Sequence, residues 1–478
     1  MEYSAYQTAI FDWVRNGSGH CVVEAVAGSG KTSTIVAALR EIPTDKRVLF
    51  CAFNKHIAVD LQNRVPHNVR VQTLNSFGWG VCRDNFSGNL KIDANKTRNV
   101  FQHYVCNNER EFYKYVGPVC KLVGLLKCVD AKGDFVNQAL HLMTLHDVGL
   151  PEEDGSGALA ANFANATLHE SLKITRVFDF DDQIWCPGYF GLQVEQFDYV
   201  FVDEAQDLNP AQIGLVESAG RYGRIVAVGD RHQAIYGFRG ADPEAINNVI
   251  TLLKPTVLPL SICYRCPKQI VLAAQRIVPQ IECAPNAIDG EILQIAEKDF
   301  LKTVAEGDFV LCRVSAPLIM NCLQLIRQGR KATVRGRDLG TGLLTLLNKV
   351  GGDSCEAAIA NLNTYAARNV SRLIQMGNDL AADMLEDQIL TIKCLFDDAS
   401  SIDDVRRRIE QIFEDNASGG VIFSTVHKAK GLEAKNVFIL KPDMMPHPRA
   451  KHAWQHIQER NLEYVAITRS TNTLTKVK

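Results

Sequence analysis

The chain has 478 residues, 46% of them hydrophobic and 22% charged, with a formal net charge of −2. That length calls for more than one domain with sizeable cores, and the composition is that of an ordinary soluble globular protein. With no global basic excess, any nucleic-acid surface has to be a local groove rather than a whole-molecule field.

The first predicted strand is the apolar run 21–26, which leads into a glycine turn and then a helix-compatible stretch, 32–40, with Ile35, Val36 and Leu39 on one face. Ala25, Gly28, Gly30, Lys31 and Thr32 satisfy the pattern [AG]-x-x-x-x-G-K-[ST]. Glycines let consecutive backbone N–H groups turn inward around a phosphate, and the new helix aims its positive end at the same anion. The expected nucleoside-triphosphate contacts are therefore Ala27, Gly28, Ser29, Gly30, Lys31, Thr32 and Ser33. Lys31 is expected to reach the β- and γ-phosphates, and the Thr32 hydroxyl to ligate Mg²⁺.

Further β-type runs follow at 46–53, 197–205 and 223–230, and a second set at 307–314, 331–336, 420–427 and 435–441. Short buried runs interleaved with helical patterns predict an α/β protein with two parallel sheets. The stretches 82–190 and 345–417 are helix-rich, and there is no internal repeat or low-complexity tract. The expected organisation is a first α/β domain from 1–81 and 191–257, interrupted by a helical insertion at 82–190. A second α/β domain is expected from 258–344 and 418–478, with a small helical insertion at 345–417.

"YVFVDEAQD" is an apolar strand ending in Asp203 and Glu204. A strand-end aspartate is placed to hold the Mg²⁺ that Thr32 also ligates, and the adjacent glutamate to accept a proton from an attacking water. That pairing points to ATP hydrolysis rather than a switch or a kinase. Fourteen cysteines without a disulfide rhythm suit a reducing cytosol, and the expected location is cytoplasmic. One C-x-x-C, Cys263-Tyr264-Arg265-Cys266, has no second pair at zinc-site spacing and reads as two buried thiols. "MEYSAYQ" is neither a signal nor a transit peptide, and no run of about eighteen apolar residues suggests a membrane span.

DEAQD, "VGDRHQAIYGFRGAD" (228–242) and "LPLSICYRCPKQI" (258–270) closely resemble motifs II, III and IV of the UvrD/Rep/PcrA helicases of superfamily 1. "FSTVHKAKGLEAKNVFIL" (423–440) and "QERNLEYVAITRS" (458–470) resemble motifs V and VI. "FCAFNKHIAVDL" and "VQTLNSFGWG" look like motifs Ia and Ib, and Gln7 sits where the family's Q motif falls. The resemblance implies two RecA-like P-loop NTPase domains, each carrying a helical insertion. It also implies an ATP-dependent DNA helicase that moves 3′→5′ on single-stranded DNA, hydrolysing Mg-ATP in the cleft between the two domains.

By the same resemblance, Gln7 reads adenine, Tyr264 stacks on the base, Glu433 holds the ribose and Gln233 contacts the γ-phosphate or the attacking water. Arg265 and Arg469 resemble the two arginine fingers, which stabilise charge spread over the phosphoryl oxygens. The alternative for each arginine is a surface salt bridge. Implied DNA contacts are Phe53, Asn54 and Lys55 in motif Ia, Thr73 and Ser76 in Ib, Tyr236, Phe238 and Arg239 in III, and Thr425 and His427 in V. Single-strand tracking wants aromatic faces for bases and polar or basic groups for phosphates. Core packing is the alternative for Phe53, Tyr236 and Phe238. Implied partners are single-stranded DNA and junctions with duplex, with unidentified replication or repair proteins, no membrane, and a monomeric state.

The chain departs from the family pattern in places. Ser33 stands where relatives often carry arginine, motif VI ends in TRS rather than TRA, and the second insertion is much shorter than in UvrD, Rep or PcrA. The end at Lys478, soon after motif VI, gives the expectation that a fused nuclease and an extended tail are absent. A competing reading is a single-strand translocase that strips bound proteins without unwinding duplex by itself.

Overall fold

Alternate residues of the apolar runs feed two different cores, which is why those runs carry few polar positions. Cys21, Val23, Ala25, Val48, Phe50, Ala52, Phe201, Val226 and Val228 join one cluster, whereas Val22, Leu49, Cys51, Val200, Val202, Ile225 and Ala227 join another. A sheet covered on both faces demands this, and parallel strands joined by crossover helices supply it. The computed structural model describes residues 3–129, 135–146, 148–151, 154–235, 244–375, 379–413, 419–448, 450 and 453–478. The chain divides into two compact units, 1–26 with 30–261, and 262–478 with the short segment 27–29.

The first unit holds β1 (Cys21–Ala25), β2 (Val48–Ala52), β3 (Val69–Thr73), β4 (Lys91–Ile92), β5 (Val177–Phe178), β6 (Tyr199–Val202), β7 (Arg224–Gly229) and β8 (Thr256–Leu260). Six of them form one parallel sheet in the order β3-β2-β6-β7-β1-β8. The expected domain boundary between 257 and 258 falls inside β8. Leu258 pairs with Val23 and Leu260 with Ala25, so the chain stays in the first sheet to Leu260 to satisfy the second edge of β1.

The insertion of this unit is tied at its base by the small parallel pair β4–β5. Above it lie the helices Glu109–Cys128, Phe135–Leu145 and Ser156–Lys173. Val119, Leu122, Val123 and Leu126 recur at helical spacing and bury against Ala160, Ala164 and Leu168. The helix Leu74–Asn85 runs through the expected start of the insertion at 82, because Phe77 and Val81 pack in the sheet's core while Cys82 packs in the insertion's. Within the insertion lies a buried ionic network. Lys127 Nζ meets Asp179 at 2.5 Å and Asp182 at 2.8 Å, and Lys96 Nζ meets Asp182 at 2.7 Å.

The second unit contributes β9 (Ile262–Cys263), β10 (Glu282–Cys283), β11 (Glu291–Ile295), β12 (Phe309–Cys312), β13 (Ala332–Val334), β14 (Val421–Thr425), β15 (Ala434–Leu440) and β16 (Ser470–Val477). Its six-stranded sheet has the order β11-β16-β15-β12-β14-β13, again with every neighbour parallel. Four helices, Arg337–Val350, Cys355–Gln375, Asp379–Phe396 and Ile402–Ile412, form its insertion. The first begins before the expected start at 345, since Leu343, Leu346 and Leu347 share one core with Val334 and Phe423 of the sheet. Asp387 fixes the insertion to the sheet end by accepting from Ser315 N–H (3.0 and 2.8 Å) and Ala316 N–H (2.9 Å). No described helix is long and apolar enough to cross a membrane.

Candidate functional site

In a sheet whose strands all run one way, every strand's carboxyl end opens on the same edge, where ligand sites of such sheets gather. At the carboxyl edge of the first sheet, β1 leads into the glycine turn, β6 delivers Asp203 and Glu204, and β7 delivers Asp230 to Gln233. The strand order β6-β7-β1 makes these three connections neighbours.

The turn takes left-handed backbone at Gly28 (φ +67°) and Gly30 (φ +76°). A Cβ at Gly30 would meet nothing within 4 Å, so backbone conformation, not space, requires glycine there. Gly30 caps the helix Lys31–Leu39 without a side-chain bond, which leaves its first N–H groups to an outside acceptor. Ala27 is fully buried, and Ser29 Oγ, on a residue only 1% exposed, has no hydrogen-bond partner. An orphaned buried hydroxyl beside left-handed glycines and a helix N-terminus fits a phosphate group. Thr32 is half-buried and Ser33 exposed on the first turn.

From here a chain of contacts crosses the edge. Lys31 Nζ lies 3.6 Å from Glu204 Oε1. Asp203 is buried, and its Oδ1 accepts from Glu204 N–H at 2.9 Å. Glu204 itself sits at φ +53°, a conformation that non-glycine residues rarely take. Its carboxylate accepts from Gln206 Nε2. Gln206 is 1% exposed, and its Oε1 accepts from Asp230 N–H at 3.0 Å. Asp230 in turn accepts from His232 N–H (3.0 Å) and from Gln233 Nε2 (2.7 Å). Burial pushes the Asp230 carboxyl above its ordinary range, against the opposing pull of Lys31 and Gln233. Lys31, Glu204 and Gln233, expected from sequence, are thus joined through Gln206 and Asp230, which were not. Both lie inside the quoted motifs, but their meeting depends on β6 and β7 ending side by side.

Gln7 links the first helix to the helix that follows the glycine turn. Its Oε1 accepts from Ser4 N–H (3.0 Å) in a capping box, and its Nε2 donates to Thr34 Oγ1 (3.0 Å) on the helix that follows the glycine turn.

Residues of the second unit make their own cluster. Tyr264 is 48% exposed. Arg265 pairs through Nε with Glu433, the residue expected at the ribose, and its Nη1 reaches Thr468 O at 3.5 Å. Arg469 is no surface residue. At 1% exposure, its Nε donates to Val465 O (2.9 Å) and its other nitrogens to Leu432 O (3.1 Å) and Thr468 Oγ1 (3.4 Å).

Of the expected DNA contacts, Phe53 is 47% exposed, which removes the core-packing alternative for it. Asn54 and Thr73 are N-caps: Asn54 Oδ1 accepts from Ile57 N–H (2.9 Å) and Thr73 Oγ1 from Ser76 N–H (3.1 Å). Ala52 and Thr73 stand in register on β2 and β3, so these two helices start side by side, with Lys55 and Ser76 exposed on their first turns. Thr425 at the end of β14 and His427 in the following turn are half-buried. Tyr236, Phe238 and Arg239 lie outside the described residues.

Residues 7–253 match the UvrD/REP helicase N-terminal domain, and residues 330–476 the UvrD-like helicase C-terminal domain. The F-box DNA helicase protein 1 of Schizosaccharomyces pombe is 24% identical, over 95% of this chain and 55% of its own length. F-box DNA helicase 1 of Gallus gallus is also 24% identical, over 95% and 46%. ATP-dependent DNA helicase PcrA of Staphylococcus epidermidis is 25% identical, over 55% and 38%. The chain spans about half the length of the first two of these relatives.

Proposed function

The chain belongs to the UvrD/REP helicase family and has two RecA-like α/β domains, and from that premise we propose that it is an ATP-driven motor that moves 3′→5′ on single-stranded DNA and unwinds duplex. The observation that carries the reading is the unbroken series Lys31–Glu204–Gln206–Asp230–Gln233 beside the left-handed glycine turn. A site that only bound nucleotide would have no use for a carboxylate joined to both a phosphate-reaching lysine and a neighbouring strand's amide. In this reading Gly28 to Thr32 hold the phosphates and Glu204 takes the proton of the attacking water. Mg²⁺, held by Thr32 and Asp203, would supply charge neutralisation at the phosphate oxygens. Arg265 and Arg469 supply fixed cationic donors for the transferred group.

Gln206 is a positioning residue in this scheme, because it holds the Glu204 carboxylate on one side and the Asp230 backbone on the other. Gln206→Ala is expected to lower kcat by about tenfold, with the KM for ATP changed less than about twofold, since positioning is lost and binding kept. A rise in KM with kcat unchanged would assign Gln206 to binding instead.

The DNA surface in this reading runs along the caps Asn54 and Thr73, where paired helix N-termini, Lys55 and the exposed Phe53 suit phosphates and a base face. The direction rests on "GDRHQAIYGFRGA" and on Tyr264-Arg265, the UvrD-like form of motifs III and IV. The test is displacement of a labelled strand from duplexes with only a 3′ or only a 5′ tail, with ATPase followed in parallel. We expect ATPase stimulated by single strands and displacement only with the 3′ tail. Displacement from the 5′-tailed substrate would reverse the direction, and stimulated ATPase without displacement would favour the translocase reading.

A further inference from the structure

The C-x-x-C that brackets Arg265 is not used by the scheme above, and its surroundings are unusual. Cys263 and Cys266 are 0% and 3% exposed, and all fourteen cysteines are free thiols. The Cys266 N–H donates to Cys263 Sγ at 3.4 Å. The Cys266 thiol lies within reach of the Cys263 sulfur and of Thr468 O, the latter at 3.7 Å. Thr468 O also accepts from Arg265, and Thr468 Oγ1 accepts from Arg469. One backbone residue therefore joins the dithiol to both arginines. A third thiol, Cys283 on β10, stands in register with Cys263 on β9 and is half-buried.

The two thiols of the pair differ in acidity. The bond from the Cys266 thiol, with backbone N–H groups of Cys266 and Arg265 and the Arg265 charge, outweighs burial and draws Cys263 down to about 7. The same bond, seen from the donor, and burial hold Cys266 well above its ordinary value. An attacking thiolate beside a protonated resolving thiol is half of what thiol oxidation requires; the other half is access, and at 0% and 3% exposure these thiols call for an oxidant as small as hydrogen peroxide.

We propose that Cys263 and Cys266 form a peroxide-oxidisable dithiol whose disulfide arrests ATP turnover by moving Cys266 off Thr468 and so disturbing Arg265 and Arg469. The proposal rests on the motor reading. In the first step the Cys263 thiolate attacks one oxygen of hydrogen peroxide and the O–O bond breaks. The departing hydroxide takes up the proton that Cys263 released, giving water and a sulfenic acid on Cys263. Cys266 sulfur then attacks the Cys263 sulfur and the S–O bond breaks, with hydroxide leaving with the Cys266 proton as a second water. Two thiols are oxidised by two electrons and one peroxide is reduced to two waters. An S–S bond of about 2.05 Å closes a ring over Tyr264 and Arg265 and ends the contact of Cys266 with Thr468.

The full chain is first assayed fully reduced for single-strand-stimulated ATPase, then titrated with hydrogen peroxide. Non-reducing peptide mass spectrometry follows the cysteines. We expect ATPase to fall on the order of tenfold or more, in step with a 263–266 disulfide, and to recover with dithiothreitol. Cys263→Ala, which leaves Cys266 on Thr468, should keep the reduced-state rate and lose the recoverable arrest, with Cys263→Ser as the second variant should the first fold poorly. Cys283→Ala should retain it. A disulfide that forms without loss of ATPase, or an active enzyme in which 263–266 never pairs, would overturn the proposal, as would loss of the response in Cys283→Ala. No ATPase in the fully reduced protein would sink the motor reading, while the mass measurement would still decide the dithiol.

Discussion

Glu204→Gln is expected to lower ATP turnover by about 10²- to 10⁴-fold while ATP still binds. Glutamine keeps the size of the side chain and can still meet Gln206, but it cannot take a proton. Lys31→Ala is the contrast: it removes the ammonium 3.6 Å from Glu204, and it should weaken nucleotide binding as well as turnover. Binding is followed with a fluorescent ATP analogue and turnover by phosphate release, both with single-stranded DNA present. Turnover within tenfold of the parent in Glu204→Gln would remove that residue from proton transfer.

Stability should respond most to Lys127→Met. Lys127 is fully buried between Asp179 and Asp182, and burial would lower its pKa, but the two carboxylates outweigh that and raise it. Removing the ammonium leaves two buried carboxylates to Lys96 alone, which is expected to lower the unfolding free energy by about 3–5 kcal/mol. Adding Asp179→Leu should restore a good part of the loss, because one charge then faces one charge. Denaturant midpoints measure both. The network also sets an acid limit. Burial opposes ionisation of Asp182, but Lys127 and Lys96 overcome it and depress its pKa. Its stabilising contribution is therefore complete above the ordinary aspartate value and is lost as pH falls through the depressed one. A Lys127→Met midpoint within experimental scatter of the parent would mean that the network adds nothing.

The two α/β units were legible because their central strands are buried on both faces, and runs such as "VLFCA" and "IVAVG" betray that burial directly. The edges were not. β8 and β11 have mostly exposed residues, so their sequences carry no continuous apolar signal. β16 lies inside its sheet but reads "STNTLTKV", where threonines, Thr475 among them buried, occupy positions that apolar residues usually fill. At the site, the phosphate loop and the acidic pair follow from local spacing, since adjacent residues do the work. Gln206 and Asp230 owe their meeting to the neighbouring ends of β6 and β7, and Lys127 and Asp179 to a helix packing over a distant turn. Spacing along the chain carries neither.

The left-handed backbone at Glu204 sets stability and turnover against each other at one residue. A side chain at φ +53° costs roughly 1–2 kcal/mol that glycine would not, and the Asp203 carboxylate and Gln206 amide hold the glutamate there against that cost. A sequence selected for rigidity alone would drift toward glycine or asparagine at 204. In the proposed motor, glutamate stands at so uncomfortable a place for the proton it takes rather than for what it holds together.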